Sequence, residues 1–251
     1  MSEPATTQLC KLCHERSDFV DAHIVPSSFY PVLDRAKESF LLLSNNPNVR
    51  MNRSRTGIYD RELVCAGCEK IFDPFDDYAA KLLLDGKDRH RLITHDGKPL
   101  AYEAEAFDYP KLKLFLLSML WRAAESTRPE FSKVQLGPYL PELSKLVQQR
   151  EPGEPNQFGS IICRFSDVES WESGFISPFR ERYEGINFYR FVTGTYVFYV
   201  KVDRRRASDA LSSLFLRPGA PLTIIAREHR NGPEWRAFLR LARMNAAKRR
   251  R

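Results

Sequence analysis

The cysteines constrain what this chain can fold into more than any other feature of its sequence. Four of the five cysteines form two C-x-x-C pairs, Cys10/Cys13 and Cys65/Cys68, separated by residues 14–64. One tetrahedral Zn²⁺ with four thiolate ligands explains both pairs at once, because each pair places two sulfurs about 2.3 Å from the ion. A redox role for one pair stays open, but it leaves the other pair unexplained. The sequence therefore predicts a structural zinc site, with the intervening segment looping out and returning to the metal.

The remaining cysteine and the N-terminal residues argue against a disulfide framework. The count of five is odd, and MSEPATTQLCKLC lacks the basic region and apolar run of a secretory signal. Cys163 lies in the apolar stretch SIICRF and is expected to be a core thiol. His14 follows Cys13 and could replace a thiolate, although its adjacency favours a bystander. Since no run of 18 apolar residues occurs, we expect no membrane span and a cytoplasmic protein.

The charge of the chain is concentrated near its C-terminus. The chain carries 39 Lys and Arg against 32 Asp and Glu, a net charge of +7, and residues 201–251 alone hold 14 basic and 4 acidic side chains. The hydrophobic content of 43% excludes a disordered protein, and 251 residues allow one large or two small cores. We therefore expect any strong electrostatic attraction to nucleic acid to come from the last fifth of the chain.

The hydrophobic pattern predicts an α+β protein with three regions. Residues 1–98 form the zinc module, residues 99–150 a helical core region, and residues 151–251 a mixed α/β half that ends in a basic helix. The nearly all-apolar segment KLKLFLLSMLWRAA predicts a central buried helix, and PYLPELSKLVQQR a second one. REPGEPNQFG (150–159) is interpreted as a linker. The predicted strands are FLLLS, GSIICRF, INFYRFV, TYVFYVKV and PLTIIA, with hairpins around Asp96-Gly97 and Thr193-Gly194.

The order of motifs resembles a known family. A C-x-x-C pair is followed by Ala22-His23-Ile24-Val25-Pro26 and then by a second C-x-x-C that opens a helix. Over about residues 10–84 this layout resembles the zinc-knuckle branch of the HNH endonucleases, and LKLFLLSMLWRAA resembles a helix of an uncharacterised bacterial HNH-like group. The resemblance implies a treble-clef-like ββα-metal fold and a metal-dependent nuclease that hydrolyses DNA phosphodiesters.

The same resemblance implies roles for individual residues. His23 matches the general base that activates water, a task that suits an imidazole with a near-neutral pKa. Glu69 and Asp73 match the metal ligands on the helix. Four residues advance a helix by slightly more than one turn, so both carboxylates share a face, and their oxygens suit Mg²⁺ or Mn²⁺.

The sequence departs from the family at two positions. Ala22 stands where a metal-binding Asp or His is usual, and Asp21, one residue earlier, points to the other face of a strand. The family's middle Asn has no clear match, with Asp60 the nearest residue. These departures keep an alternative open, namely a catalytically eroded, zinc-stabilised module that binds nucleic acid or a protein partner. In that case His23 is a hydrogen-bonded core residue, and the helix carboxylates only complement the helix dipole.

Two groups of basic residues are candidates for contact with nucleic-acid phosphates. The first lies in the loop NNPNVRMNRSRTG, and the second in the terminal helix PEWRAFLRLARMNAAKRRR, where Trp235, Phe238, Leu239 and Ala242 form an apolar stripe. The candidates are Arg50, Arg53, Arg55, Arg236, Arg240, Arg243, Lys248, Arg249, Arg250 and Arg251. The alternatives are a solvated basic surface, an anionic membrane surface or an acidic partner.

Overall fold

A computed structural model describes residues 8–15, 18–30, 40–46, 48–167, 174–230 and 232–248, without the side chains of residues 174, 242 and 245–248. The fold is mixed α+β, as predicted. The strands are β1 (Ala22–His23), β2 (Phe40–Leu43), β3 (Asn52–Ser54), β4 (Tyr59–Asp60), β5 (Arg91–His95), β6 (Lys98–Ala104), β7 (Ser160–Phe165), β8 (Gly174–Tyr183), β9 (Ile186–Thr193), β10 (Tyr196–Lys201) and β11 (Leu222–Arg227). The helices are α1 (Ala66–Glu69), α2 (Asp73–Ala80), α3 (Tyr109–Glu125), α4 (Leu140–Gln149), α5 (Asp209–Ser213) and α6 (Pro233–Lys248). Short 3₁₀ turns lie at Ser27–Phe29, Lys87–Arg89, Pro129–Phe131 and Gly137–Tyr139, and a π-helical turn, Lys81–Asp85, follows α2.

Two sheets organise the strands. The small sheet pairs β1 with β4 in antiparallel register, so that Ala22 lies opposite Asp60. The large sheet has nine strands in the order β3-β2-β8-β9-β10-β7-β11-β6-β5. The β2–β8 and β7–β11 pairs are parallel, and the other neighbours in it are antiparallel. Residues 1–98 and 151–251 thus both supply strands to one sheet.

Helix α3 is the centre of the main core, as its apolar sequence predicted. It begins where the Asp108 side chain accepts a hydrogen bond from the Lys111 backbone N–H at 3.0 Å, with Pro110 in the first turn. Every residue from Leu112 to Ala123 is buried. The helix packs against α2, α4 and β10, so it joins the N-terminal segment to the large sheet.

The two faces of the large sheet bury separate clusters. Along β10, Phe198 and Val200 face the main core around α3, whereas Val197 faces a second cluster that includes Leu211 of α5 and Leu241 of α6. This alternation follows from the two-residue period of a strand. The sheet therefore separates α3 and the two C-x-x-C pairs from α5 and α6.

Helix α6 docks on a stripe that is shifted from the predicted one, with Phe238 packed against the second cluster as expected. Glu234, Ala237 and Leu241 are its buried positions, and Trp235 and Phe238 are only half-buried. The Glu234 carboxylate is fully buried. Two arginines of the sheet, Arg190 and Arg227, form ion pairs with it, each at 3.1 Å, and these pairs stabilise the buried charge. The apolar pattern did not predict this stripe, because a charged residue in the first turn of α6 belongs to the buried face.

The segment 150–159, interpreted as a linker, packs against α3. The Lys113 ammonium, fully buried, donates to the carbonyls of Gln157 at 3.0 Å and Phe158 at 2.6 Å. Tyr109 donates to the Gly153 carbonyl at 3.2 Å. The segment is therefore an ordered part of the core boundary.

We expect Lys113 to make stability rise with pH. Burial, with Lys201 nearby, lowers the pKa of Lys113 to about 7, well below its value in an unfolded chain. Between about pH 7 and 10 the unfolded state therefore binds more protons, and the free energy of unfolding rises with pH. Urea denaturation across this range should show a smaller rise for Lys113→Met than for the unaltered chain. An equal rise in both proteins would contradict the lowered pKa.

Candidate functional site

The four cysteines of the two C-x-x-C pairs converge, as predicted. Their sulfurs all lie within 4.8 Å of one another, and those of Cys13 and Cys65 are 4.0 Å apart. A tetrahedron of Zn–S bonds places its sulfurs about 3.8 Å apart. The four cysteines can therefore hold a metal ion such as zinc, which would supply a fixed crosslink between the two chain segments.

A backbone turn after Cys13 and a contact from the Cys65 N–H hold the two cysteine pairs together. His14 has a φ of 60°, and its N–H donates to the Cys10 carbonyl at 2.9 Å, which closes the first knuckle. The Cys65 N–H points at the Cys10 sulfur at 3.4 Å, a donor that suits a thiolate. His14 is exposed and is not one of the converging residues, in line with its interpretation as a bystander.

Protons compete with a metal for these sulfurs. Burial raises the pKa of the Cys13 thiol and, with hydrogen bonds from neighbouring cysteines, that of Cys68. Because the metal binds thiolates, metal binding must release protons, and affinity must fall as the pH is lowered.

The hydrogen bonding of His23 fixes which ring nitrogen of its neutral imidazole carries the proton. Its Nε2 lies 3.0 Å from the Thr56 carbonyl oxygen, and a carbonyl can only accept a hydrogen bond, so Nε2 carries the proton of the neutral ring. Nδ1 then holds the lone pair. Burial, with a contribution from Arg122, lowers the pKa of His23, so the ring is neutral at pH 7. A neutral imidazole with a free lone pair can accept a proton from water.

A buried ion pair supports the strand that carries His23. Arg122 of α3, 1% exposed, makes two hydrogen bonds of 2.9 Å with the Asp76 carboxylate and donates a third, also 2.9 Å, to the His23 carbonyl. Its guanidinium also stacks over Phe72 at 4.8 Å. The pair therefore joins β1, α2 and α3 at one point.

The sequence reasoning missed both members of this pair. The available signal was an arginine inside the apolar segment LKLFLLSMLWRAA, since a buried charge requires a partner. Asp76 also follows Glu69 by seven residues, a spacing that brings two residues to one face if the helix is continuous.

Glu69 and Asp73 differ in their surroundings. Glu69 is half-buried, and its Oε2 is buried without a hydrogen-bond partner among the described residues. Burial raises the pKa of Glu69 to about 7, with Asp76 and Asp73 adding to the effect and Arg122 opposing it. Asp73 is exposed. Over the described ranges, the four cysteines form the one group of three or more metal-ligating side chains, so His23, Glu69 and Asp73 are not brought together as a second.

Asp60 is a structural residue. Its buried carboxylate accepts from the Ser126 hydroxyl at 2.8 Å, the Thr127 N–H at 2.6 Å and the Glu62 N–H at 2.9 Å. These bonds tie β4 to the turn after α3. Asp60, the residue nearest to the family's middle Asn, therefore has an anchoring role in this fold.

We expect Asp60→Ala to lower the free energy of unfolding by about 2–3 kcal/mol, because it leaves several buried donors without an acceptor. Urea denaturation measures the change. The exposed Asp209, which pairs only with the exposed Arg206, provides a control. Its replacement by Ala should cost no more than about 1 kcal/mol, and equal losses in both variants would contradict the anchoring role.

The residues beside His23 confirm that β1 alternates as expected. Ala22 is fully buried, and Asp21 points to solvent, where it pairs with Arg61 at 2.7 Å. Asp21 therefore does not replace the carboxylate that is missing at position 22.

The predicted phosphate-binding arginines lie at two places in the fold. Arg50, Arg53 and Arg55 are exposed on and beside β3, the outer strand of the large sheet, and precede Thr56, the partner of His23. Arg236, Arg240 and Arg243 are exposed on α6. The Lys248 side chain and Arg249, Arg250 and Arg251 lie outside the described residues.

Comparisons with known proteins do not identify a relative. No protein-family model, no curated protein and no solved structure matches the chain. Within the described ranges, no helix combines the length and apolar character needed to cross a membrane.

Proposed function

We propose that the protein is a metal-dependent, HNH-like endonuclease that hydrolyses DNA phosphodiesters. The observation that carries the proposal is the state of His23, a neutral imidazole whose Nε2 proton is engaged by the Thr56 carbonyl and whose Nδ1 keeps a lone pair. This arrangement suits a general base. The resemblance of residues 10–84 to the zinc-knuckle HNH enzymes supports the same role.

In the proposed reaction, His23 Nδ1 accepts a proton from a water molecule as its oxygen attacks the phosphorus. A new P–O bond forms, the bond to the leaving sugar oxygen breaks, and that oxygen takes up a proton. Arg122 keeps the histidine in place through its bond to the His23 carbonyl. The cysteine-bound metal keeps four thiolate ligands and therefore acts structurally rather than in the chemistry.

A second ion would bind through Glu69 and Asp73. The fit rests on the Glu69 Oε2 atom, a buried oxygen without a hydrogen-bond partner in the described structure, which a cation would satisfy. Asp73 is close enough to raise the pKa of Glu69, so the two carboxylates form a locally negative site. A bound Mg²⁺ or Mn²⁺ would supply positive charge opposite the phosphate.

The DNA backbone would lie along the loop that carries Arg50, Arg53 and Arg55. All three are exposed, and the same loop ends at Thr56, so phosphate contacts there would approach His23. The α6 arginines lie on a helix beyond the opposite face of the sheet and would add a second, separate contact.

A second candidate function has an observation of its own in its favour. Ala22 is buried, and Asp21 is paired with Arg61 on the other face, so the position where the family usually has a metal ligand offers none. This favours a zinc-stabilised module that binds nucleic acid without cutting it.

Incubation with supercoiled plasmid distinguishes the two functions. The nuclease should convert the plasmid to nicked circles with Mg²⁺ or Mn²⁺ and leave it intact with EDTA. A binding module should retard the plasmid in a gel with every metal, without nicking. Retardation should weaken steeply as salt rises, because phosphate contacts release counterions.

A further inference from the structure

A second candidate site lies away from His23 and the cysteines. A cavity of about 400 Å³ opens between the start of α4, the segment before β7 and the end of β10. Its lining includes Tyr139, Asn156, Gln157, Lys201, Arg204 and Arg206. It is a polar pocket with an excess of basic groups, and the proposed nuclease chemistry does not use it.

Two buried lysines meet at the wall of this pocket. Lys113 is fully buried and Lys201 is 4% exposed. Within the described residues, their ammonium groups donate to backbone carbonyls, Lys113 to those of Gln157 and Phe158, and Lys201 to that of Asn156 at 3.5 Å. In the part of the chain that the structure describes, neither ammonium has a carboxylate within 4.0 Å. Buried charges are normally paired, so this arrangement lacks an anion.

The acidic residues of the lining form their hydrogen bonds with other groups, and Asp203 favours the charged form of Lys201 only from a longer distance. Asp203 is engaged by Arg205 and accepts two further bonds from Asn187, from its N–H at 3.0 Å and its amide at 2.9 Å. Glu142 accepts from the Gln157 amide at 2.6 Å.

The rim of the pocket adds two arginines suited to phosphate. Arg204 is exposed and stacks over the Tyr139 ring at 5.7 Å, with no carboxylate within 4.0 Å among the described residues. Among the described residues, Arg206 makes one ion pair, with Asp209 at 3.3 Å, and both residues are exposed, so that pair is weak. A guanidinium offers paired donors that match phosphate oxygens. Tyr139 caps α4, a helix of ten residues, so the positive end of its dipole also faces this region.

We propose that this pocket binds a phosphate monoester, with Lys201 and Arg204 contacting the phosphate and Arg206 at its rim. The phosphate would be the hydrogen-bonded anion that Lys201 lacks among the described residues. A free nucleotide and the phosphorylated end of a nucleic-acid strand both carry this phosphate monoester group. Lys113 acts as a positioning residue, because it holds the carbonyls of Gln157 and Phe158 rather than facing the ligand.

The protonation of the lysines is consistent with this role. Burial lowers the pKa of both Lys113 and Lys201, and Asp203 only partly opposes the shift at Lys201. A bound phosphate would oppose that shift and raise both values.

Isothermal titration calorimetry at constant ionic strength tests the proposal with three probes. These are AMP, a short oligonucleotide with a 5′-phosphate, and the same oligonucleotide with a 5′-hydroxyl. We expect AMP or the phosphorylated oligonucleotide to bind, and the 5′-hydroxyl oligonucleotide to bind at least about tenfold more weakly than its phosphorylated form. Tighter binding of AMP assigns the site to free nucleotides, and tighter binding of the phosphorylated strand assigns it to strand ends.

Two variants and a control locate the binding. Lys201→Met and the exposed Arg204→Gln should each weaken binding about tenfold or more, as expected for a lost charged hydrogen bond. Arg91→Gln removes the same charge from an exposed position on β5 and should bind as the unaltered chain does. The proposal is overturned if neither phosphorylated probe binds at millimolar concentration, or if the 5′-hydroxyl strand binds as tightly as the 5′-phosphorylated strand. It is also overturned if the Arg204→Gln variant keeps the melting temperature and the affinity of the unaltered chain.

Discussion

Loss of the cysteine-bound metal is expected to unfold the protein. A structural four-thiolate zinc site contributes on the order of 10–16 kcal/mol of apparent binding free energy, which is comparable to the whole stability of a typical domain. Cys10, Cys65 and Cys68 also belong to the main core around α3, so disruption of the centre reaches that helix directly. A Cys10→Ser/Cys68→Ser variant should therefore lose its cooperative thermal transition.

Metal analysis and circular dichroism measure this effect. The unaltered chain should contain one zinc per molecule and lose its melting transition after treatment with a strong chelator. Cys163→Ser is the matched control, because this buried thiol lies in the second cluster, away from the four converging cysteines. It should keep one zinc and a cooperative transition. A double variant that melts like the unaltered chain would show that the cysteines do not hold a stabilising metal.

The features that sequence reasoning identified correctly are those fixed by local pattern. The spacing within each C-x-x-C pair and the need to satisfy four thiolates predicted the convergence of the cysteines. The apolar circumference of α3 predicted the central helix. The hairpin at Asp96-Gly97 formed because both residues adopt the positive φ that a tight turn requires.

The features that it missed depend on contacts between distant residues. Strand β8 was not predicted because Pro178 interrupts its pattern, but the pairing with β9 shifts register between Ile176 and Phe179, where a proline is tolerated. The Arg122–Asp76 pair was missed because α3 and α2 meet only in the folded chain. The buried position of Glu234 on α6 likewise depends on Arg190 and Arg227 from the sheet.

The fold distributes the basic residues of the chain over several separate surfaces. The basic excess of residues 201–251 is divided between α6, on one face of the sheet, and Arg204–Arg206, beside the pocket that holds Lys201. The exposed arginines Arg50, Arg53 and Arg55 instead precede Thr56, the partner of His23, and belong to residues 1–100, where 14 basic and 15 acidic side chains nearly balance. Under the proposed function, tight electrostatic binding through α6 and chemistry at His23 would belong to different surfaces, and we expect variants of α6 to affect binding without altering the base.

Replacement of His23 by Ala is expected to reduce the rate of plasmid nicking by about 10²–10⁴-fold, the usual contribution of a general base. The effect follows from the loss of Nδ1, the ring nitrogen left with a lone pair by the bond from Nε2 to Thr56. Because burial lowers the pKa of His23, the neutral base persists below pH 6.5. At a saturating concentration of Mg²⁺, which keeps Glu69 ionised, the nicking rate of the unaltered chain should accordingly be level near pH 7 and fall only at more acidic pH.

His95→Ala is the matched control for this experiment, since His95 lies on the β5–β6 hairpin with its side chain 78% exposed. It should nick plasmid at the rate of the unaltered chain and show the same decrease in nicking rate at acidic pH. Zinc content separates loss of chemistry from loss of fold, because the His23 side chain is not one of the four converging ligands, and His23→Ala should retain one zinc. If His23→Ala nicks at an undiminished rate with zinc in place, another residue activates the water, and the assignment of His23 as the base is wrong.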